Sequence, residues 1–292
     1  MTRWHFTLAV AIWAAAWAAA CGTSSSDRSP APEAGTPDPG TPAAGTHDVA
    51  PGGTGLMSWP DAVGGLLAIA DAATDEALVF RRDTTAIPGQ VGVVGYDSAA
   101  TVATVRTLRA APCASRAILQ LAGAPGRWNL ALDLSHAHPL LVDALADLSP
   151  ADSQRVVVRI QRALNTLPDT GAAMEFRGLP VVVRDAWVVG LSPGPVVVAR
   201  AARLRNLEAT AHEELRFVVL EGDQLRYVAR VAGDEEVVES WDLLAVLTVE
   251  GHPWLAVARE GARSLQLEFV ARDSASWRSV WRSDGLVCGA SH

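Results

Sequence analysis

From residue 179 onward the chain alternates between apolar and polar side chains. Leu225, Tyr227, Ala229 and Val231 are separated by Arg226, Val228 and Arg230; Leu265, Leu267, Phe269 and Ala271 are separated by Gln266, Glu268 and Val270. A period of two places successive side chains on opposite faces of a strand, so the pattern predicts antiparallel sheet with one buried and one wet face. Glu221-Gly222-Asp223, Gly233-Asp234, Gly251-His252-Pro253 and Glu260-Gly261 interrupt the run at hairpin intervals. The expectation is a meander of strands near 181–190, 195–204, 214–221, 224–232, 235–249, 253–259, 264–271 and 276–282. Trp187, Trp241, Trp254, Trp277 and Trp281 fall in this stretch and are expected to fill the sheet core or cover its edge.

Ahead of the meander the pattern is mixed. Short strands are expected at Ala77–Arg81, Val91–Tyr96, Val102–Leu108, Arg116–Ala122 and Trp128–Leu134, with Gly/Pro punctuation between several of them. Two helices follow. Pro139–Leu148 carries Leu140, Leu141, Leu145 and Leu148 at helical spacing. The second has Ser149 as its cap, Pro150 in the first helical position and Asp152 in the first turn, and Pro168 helps end it. Its apolar stripe is Val156, Ile160, Ala163, Leu164 and Leu167. The expected fold class is α+β and β-rich: an antiparallel meander in the C-terminal half, an N-terminal strand region and two helices near 139–166.

The first 55 residues are of another kind. Phe6–Ala20 is an apolar run of fifteen residues with Thr7 as its one polar member. A membrane-spanning helix needs about 20 apolar residues. The run is short for that and ends in small residues, which fits a cleavable export signal. Ala18-Ala19-Ala20-Cys21 resembles the lipobox of bacterial lipoproteins, where the chain is cut before a cysteine that receives lipid; the family usually has Leu where Ala18 stands. The resemblance implies a lipid attached to Cys21, and with it a membrane anchor. The same residues also form an Ala-x-Ala site for ordinary secretion, which would leave Cys21 unmodified. After it, Gly22–Gly55 holds six Pro, seven Gly and nine Ser/Thr in 34 positions, a composition that predicts a disordered spacer. The organisation is therefore a signal peptide at 1–20, an anchored linker at 21–55, and a body of 56–167 and 168–292 built on one core or two.

The body holds 28 acidic residues against 22 Arg, a net charge of about −6, and no clustered basic face that would suit a nucleic acid. With Cys21 lipidated, Cys113 and Cys288 remain as an even pair, expected to form a disulfide outside the cytoplasm.

No catalytic constellation emerges, and no cofactor is called for. Gly190-Leu191-Ser192-Pro193-Gly194 matches the Gly-x-Ser-x-Gly elbow of α/β-hydrolases, but Pro193 has no N–H to supply to an oxyanion hole, so a tight turn is expected. His136 and His138, with Asp133 nearby, are the candidate metal ligands, because residues at i and i+2 of an extended segment share one side. Asp133–His138 resembles the Asp-x-His-x-His of amidohydrolases with one extra residue, and the barrel and further ligands of that family are not supplied. Glu208, His212, Glu213 and Glu214 lie in a stretch expected to be a solvated loop or short exposed turn, and Asp234-Glu235-Glu236 a wet hairpin turn.

Val249-Glu250-Gly251-His252-Pro253-Trp254-Leu255, followed by Ala256–Arg259, resembles the strand repeats of FG-GAP or integrin-α-type propellers. That family has several Asp where this chain has Glu250 alone, so calcium binding is not carried over. The combined expectation is a non-catalytic binding or scaffolding lipoprotein of the bacterial cell envelope. It would face the periplasm or cell surface, with a protein or polysaccharide partner and no nucleic acid. Two other classes stand beside it: a metal-dependent envelope enzyme using His136 and His138, and a small-molecule-binding envelope protein whose pocket is lined by the C-terminal tryptophans.

Overall fold

The computed structural model describes residues 67–70, 76–79, 89–95, 100–110, 117–123, 128–206, 211–234, 238–261, 264–274 and 276–283. The export signal, Cys21, the linker, Cys113, Cys288 and Glu208 lie outside the described residues.

Six strands come first: β1 (Leu67–Ala70), β2 (Glu76–Val79), β3 (Gln90–Gly95), β4 (Ala100–Ala110), β5 (Ala117–Ala122) and β6 (Trp128–Leu132). They close into an antiparallel barrel in the order β1-β2-β5-β4-β3-β6. The chain then makes β7 (Ala137–Pro139), β8 (Val142–Ala144) and one 3-10 turn at Leu145–Asp147. This corrects the expected helix at Pro139–Leu148. The leucines there sit at helical spacing, but β7 and β8 are taken up by the edges of two sheets, pairing with strands more than 40 residues downstream. Tertiary pairing overrides a short local periodicity.

The second expected helix is α1 (Pro150–Leu164), with Pro150 in its first turn. The Ser149 hydroxyl accepts from the Asp152 N–H at 3.2 Å and so satisfies one of the orphan donors of the first turn. Ile160, Ala163 and Leu164 are its buried residues. A 3-10 segment follows at Gly171–Phe176.

Eight strands complete the chain: β9 (Val182–Val189), β10 (Val196–Asn206), β11 (Ala211–Glu221), β12 (Gln224–Asp234), β13 (Ser240–Val249), β14 (His252–Gly261), β15 (Ser264–Asp273) and β16 (Ser276–Arg282). They make two five-stranded antiparallel sheets. The first has the order β8-β9-β10-β11-β12 and the second β7-β13-β14-β15-β16. The β13–β14 hairpin turns on Glu250 and Gly251, both at positive φ (50° and 80°), the geometry that two-residue hairpin loops favour. Gly251 takes this conformation without a Cβ clash; Glu250 is the one non-glycine residue at positive φ among the described residues.

The sheets stack face to face. Val196, Val198, Phe217 and Val219 of the first meet Trp241, Val246, Leu255, Val257 and Val270 of the second. The far face of the first sheet presents Val197, Ala199, Ala201, Val218 and Leu220 to Ile160, Ala163 and Leu164 of α1. The far face of the second presents Leu247, Trp254, Ala256, Phe269 and Ala271 to Val94, Leu130 and Leu132 of the barrel. Both sheets are therefore covered on both faces, where alternation alone predicts a wet side. The contiguous apolar runs Val196–Ala199 and Phe217–Leu220 carry this: a strand buried on both faces need not alternate. At the barrel junction Leu134 folds back over Gly92. A Cβ placed there would lie 2.2 Å from the Leu134 Cγ, so only glycine admits this approach.

The sheets also share a sequence pattern. Phe217–Arg230 and Phe269–Arg282 align without a gap and match at Phe217/Phe269, Val218/Val270, Arg226/Arg278, Val228/Val280 and Arg230/Arg282. Their hairpins close at equivalent pairs, Glu221 opposite Gln224 and Asp273 opposite Ser276. Phe217 points from the first sheet toward the second, and Phe269 from the second toward the barrel. The two meanders are stacked in the same sense.

Candidate functional site

Arg203 of β10, Glu214 and Arg216 of β11 and Arg230 of β12 are drawn together on the far face of the first sheet. Strand register sets Arg203 opposite Glu214 and Arg216 opposite Arg230. These side chains continue the face whose other half is apolar and covered by α1. The helix ends at Leu164, and residues 165–180 run on as a strap across the charged half.

Glu214 is fully buried and is the centre of the cluster. It accepts from Arg203 Nε at 2.5 Å and from Arg216 Nη2 at 3.1 Å, and pairs with Arg230 Nε at 3.1 Å. The strap contributes Asp169, whose carboxylate accepts from Arg203 Nη2 at 2.7 Å and lies 3.7 Å from Arg216. Backbone carbonyls supply the rest: Arg216 donates to Leu164 O at 3.2 Å and Arg230 to Pro168 O at 3.3 Å. The Leu164 carbonyl ends α1, so the Arg216 guanidinium also complements the negative pole of the helix. The Arg203 guanidinium lies 5.9 Å from the centre of the Phe176 ring.

Three guanidiniums thus face two carboxylates. The Arg203 hydrogen bond holds the Asp169 carboxyl below its ordinary pKa. Burial works against the charge on Arg203, but hydrogen bonds to Asp169 and Glu214 outweigh it and raise its pKa. At Arg216 burial prevails: its pKa is lowered despite Glu214, with Arg203 and Arg230 adding repulsion. Arg216 is 2% exposed, and its Nε has no hydrogen-bond partner.

At the rim of the cluster His212 lies between two carboxylates. Its Nδ1 is 3.3 Å from Glu175 on the strap and its Nε2 is 2.9 Å from Asp234 at the end of β12. Arg205 also pairs with Glu175, at 3.6 Å. The stretch containing His212, Glu213 and Glu214 is therefore the start of β11, not the solvated loop or exposed turn expected. The four apolar residues that follow it are covered on both faces, and the charges just ahead of them share that cover.

A second buried carboxylate lies between the sheets. Glu268 is 1% exposed; Arg282 donates to it at 3.1 Å, Tyr227 Oη at 3.4 Å, and Arg259 lies 3.7 Å away. Burial first, then the charge of Glu268, pushes the Tyr227 hydroxyl pKa far above its ordinary value. Glu221 ties the sheets at the other end, accepting from Trp277 Nε1 at 2.9 Å and pairing with Arg272 at 2.8 Å.

The residues singled out in the sequence fall elsewhere. His136 lies in the turn after β6 and His138 in β7, both exposed. The Asp133 carboxylate accepts from Ser135 N–H at 2.9 Å and Ser135 Oγ at 2.7 Å. Among the described residues no group of three or more His, Cys, Asp or Glu is placed to hold a metal. Ser192 is exposed in the turn between β9 and β10, and its carbonyl accepts from Arg272. Trp241, Trp254 and Trp277 are buried in the two sheet cores, with Trp187 and Trp281 packed against them. A surface depression of about 280 Å³ lies on the outer side of α1, lined by Gln154, Arg155, Val158, Arg159, Arg162 and Asp223, with no tryptophan. No helix among the described residues is long and apolar enough to cross a membrane.

No protein-family model matches the chain, and no curated protein or solved structure matches it.

Proposed function

We propose that this chain is a lipid-anchored module of the bacterial cell envelope that binds or scaffolds a protein or polysaccharide partner and has no catalytic site of its own. The observation that carries the reading is Cys21, standing directly after the Phe6–Ala20 run and Ala18-Ala19-Ala20 and directly before the Gly/Pro/Ser/Thr-rich segment. A stable anchor needs more than one acyl chain, and the lipid of a bacterial lipoprotein carries several. The spacer would hold the body near the membrane with room to reach a partner. The two stacked sheets give that body a packed frame.

The test is expression of the full chain in a bacterium supplied with a labelled fatty acid, followed by fractionation and intact-mass measurement. The reading predicts label in the membrane fraction, a mass beginning at Cys21 plus acyl chains, and loss of both in Cys21→Ser. An unlabelled chain with free Cys21 in the soluble fraction would overturn it. Thiol blocking before and after reduction of the same material reads the proposed Cys113–Cys288 bridge.

A further inference from the structure

We infer that the buried Arg203–Arg216–Arg230 cluster is a phosphate-type oxyanion site, and that the Asp169 carboxylate of the 165–180 strap occupies it as an internal stand-in. The inference goes beyond the anchor and holds whether or not Cys21 carries lipid.

Three guanidiniums face Glu214 and Asp169, a net charge of +1 in a largely buried place. When Asp169 leaves, the net charge becomes +2. Burying unbalanced cations costs stability, and well-packed apolar residues would serve the fold as well or better. A dianion at the Asp169 position balances the cluster where a monoanion leaves it positive. Arginine forks are suited to the oxygens of phosphate and carboxylate.

The strap meets the charged half of the sheet through ionic and polar contacts: Asp169 to Arg203, Pro168 O to Arg230, and Glu175 to His212 and Arg205. Ala173 and Phe176 are the buried residues of its 3-10 segment. Gly171 and Gly178, at φ +57° and +77°, bracket that segment at both ends. Backbone hydrogen bonds of the strap are local, such as Ala173 N to Thr170 O and Leu179 N to Phe176 O. Asp169 lies two residues ahead of Gly171, outside the bracketed segment, and can leave the seat without breaking a sheet ladder. The Asp169 side chain is 18% exposed and that of Arg230 23%, so the seat opens to solvent at the stand-in carboxylate itself. The free Nε of Arg216 is a donor that no group in the closed arrangement uses.

An incoming phosphate must displace Asp169, so the unaltered protein binds it with an affinity reduced by the fraction of open strap. The experiment is calorimetric titration of the protein with inorganic phosphate, and with acetate as the monoanion, for the unaltered chain, Asp169→Asn and Glu175→Gln. Asp169→Asn empties the charge from the seat; Glu175→Gln loosens the rim and leaves the cluster whole. The expected result is phosphate binding at least about tenfold tighter in both variants than in the unaltered protein, acetate weaker than phosphate, and loss of the gain when Arg203→Met is added. Thermal shifts with phosphate should follow the same order. No saturable phosphate binding in a folded Glu175→Gln protein, or equal affinity in all three, would overturn the inference.

Discussion

The two sheets are built to one plan and covered in two ways. In each, a buried glutamate near the middle strands is tied to the arginine that ends the repeat: Glu214 to Arg230 in the first sheet, Glu268 to Arg282 in the second. The second sheet lays an apolar face on the barrel and keeps its glutamate between the sheets. The first divides its far face, apolar under α1 and charged under the strap. One meander thus accepts a barrel, a partner sheet or a helix as cover, because all of them supply apolar surface at the same spacing. The strap is the exception, a cover that adds carboxylates over the arginines to the apolar anchors Ala173 and Phe176.

The two sheets should differ most at their buried charges. Glu214→Gln leaves Arg203, Arg216 and Arg230 with Asp169 alone, and should cost about 3–5 kcal/mol in urea denaturation. Glu268→Gln should cost less, about 1–3 kcal/mol, because Arg259 keeps Glu239 and Arg282 is half exposed. Equal losses would mean that the two glutamates do the same work. At the barrel junction Gly92→Ala drives a methyl into Leu134 and should cost about 1–3 kcal/mol, with the first sheet's hydrogen exchange unaltered. Ser149→Ala removes the cap of α1 and should cost about 1 kcal/mol, since the helix is the apolar half of the first sheet's cover.

The folded pKa of Asp169 lies below its unfolded value near 3.9, so its contribution is fully present above about pH 4 and is lost as pH falls through the folded value. The stability difference between the unaltered protein and Asp169→Asn should therefore be constant near neutrality and shrink below about pH 4. A difference that does not shrink as pH falls below about 4 would show that the carboxylate charge is not what holds the strap.

Much of the sheet framework was legible because alternation, turn residues and strand length agree over the last 110 residues. The strand expected at 276–282 is found as Ser276–Arg282, and that expected at 224–232 as Gln224–Asp234. The α1 cap was legible for the same reason: Ser149, Pro150 and Asp152 act within one turn. What failed depended on partners far away in sequence. Leu140, Leu141 and Leu145 gave a helical spacing, but β7 and β8 answer to β13 and β9. The charged cluster was invisible because each member looks solvated alone. Its signal was there: Glu214 and Arg216 share a strand face with Val218 and Leu220, so they continue a buried stripe. The repeat of Phe217–Arg230 in Phe269–Arg282 was a second signal, spread over a spacing of 52 residues.

The most direct test of the contrast between covers is native-state hydrogen exchange followed segment by segment. Amides of 165–180 are expected to exchange by a local opening that urea barely accelerates, while those of β10, β11, β14 and β15 exchange only with global unfolding. Glu175→Gln is expected to speed the strap alone. A strap protected as strongly as β10 and β11, and unmoved by that change, would contradict that contrast.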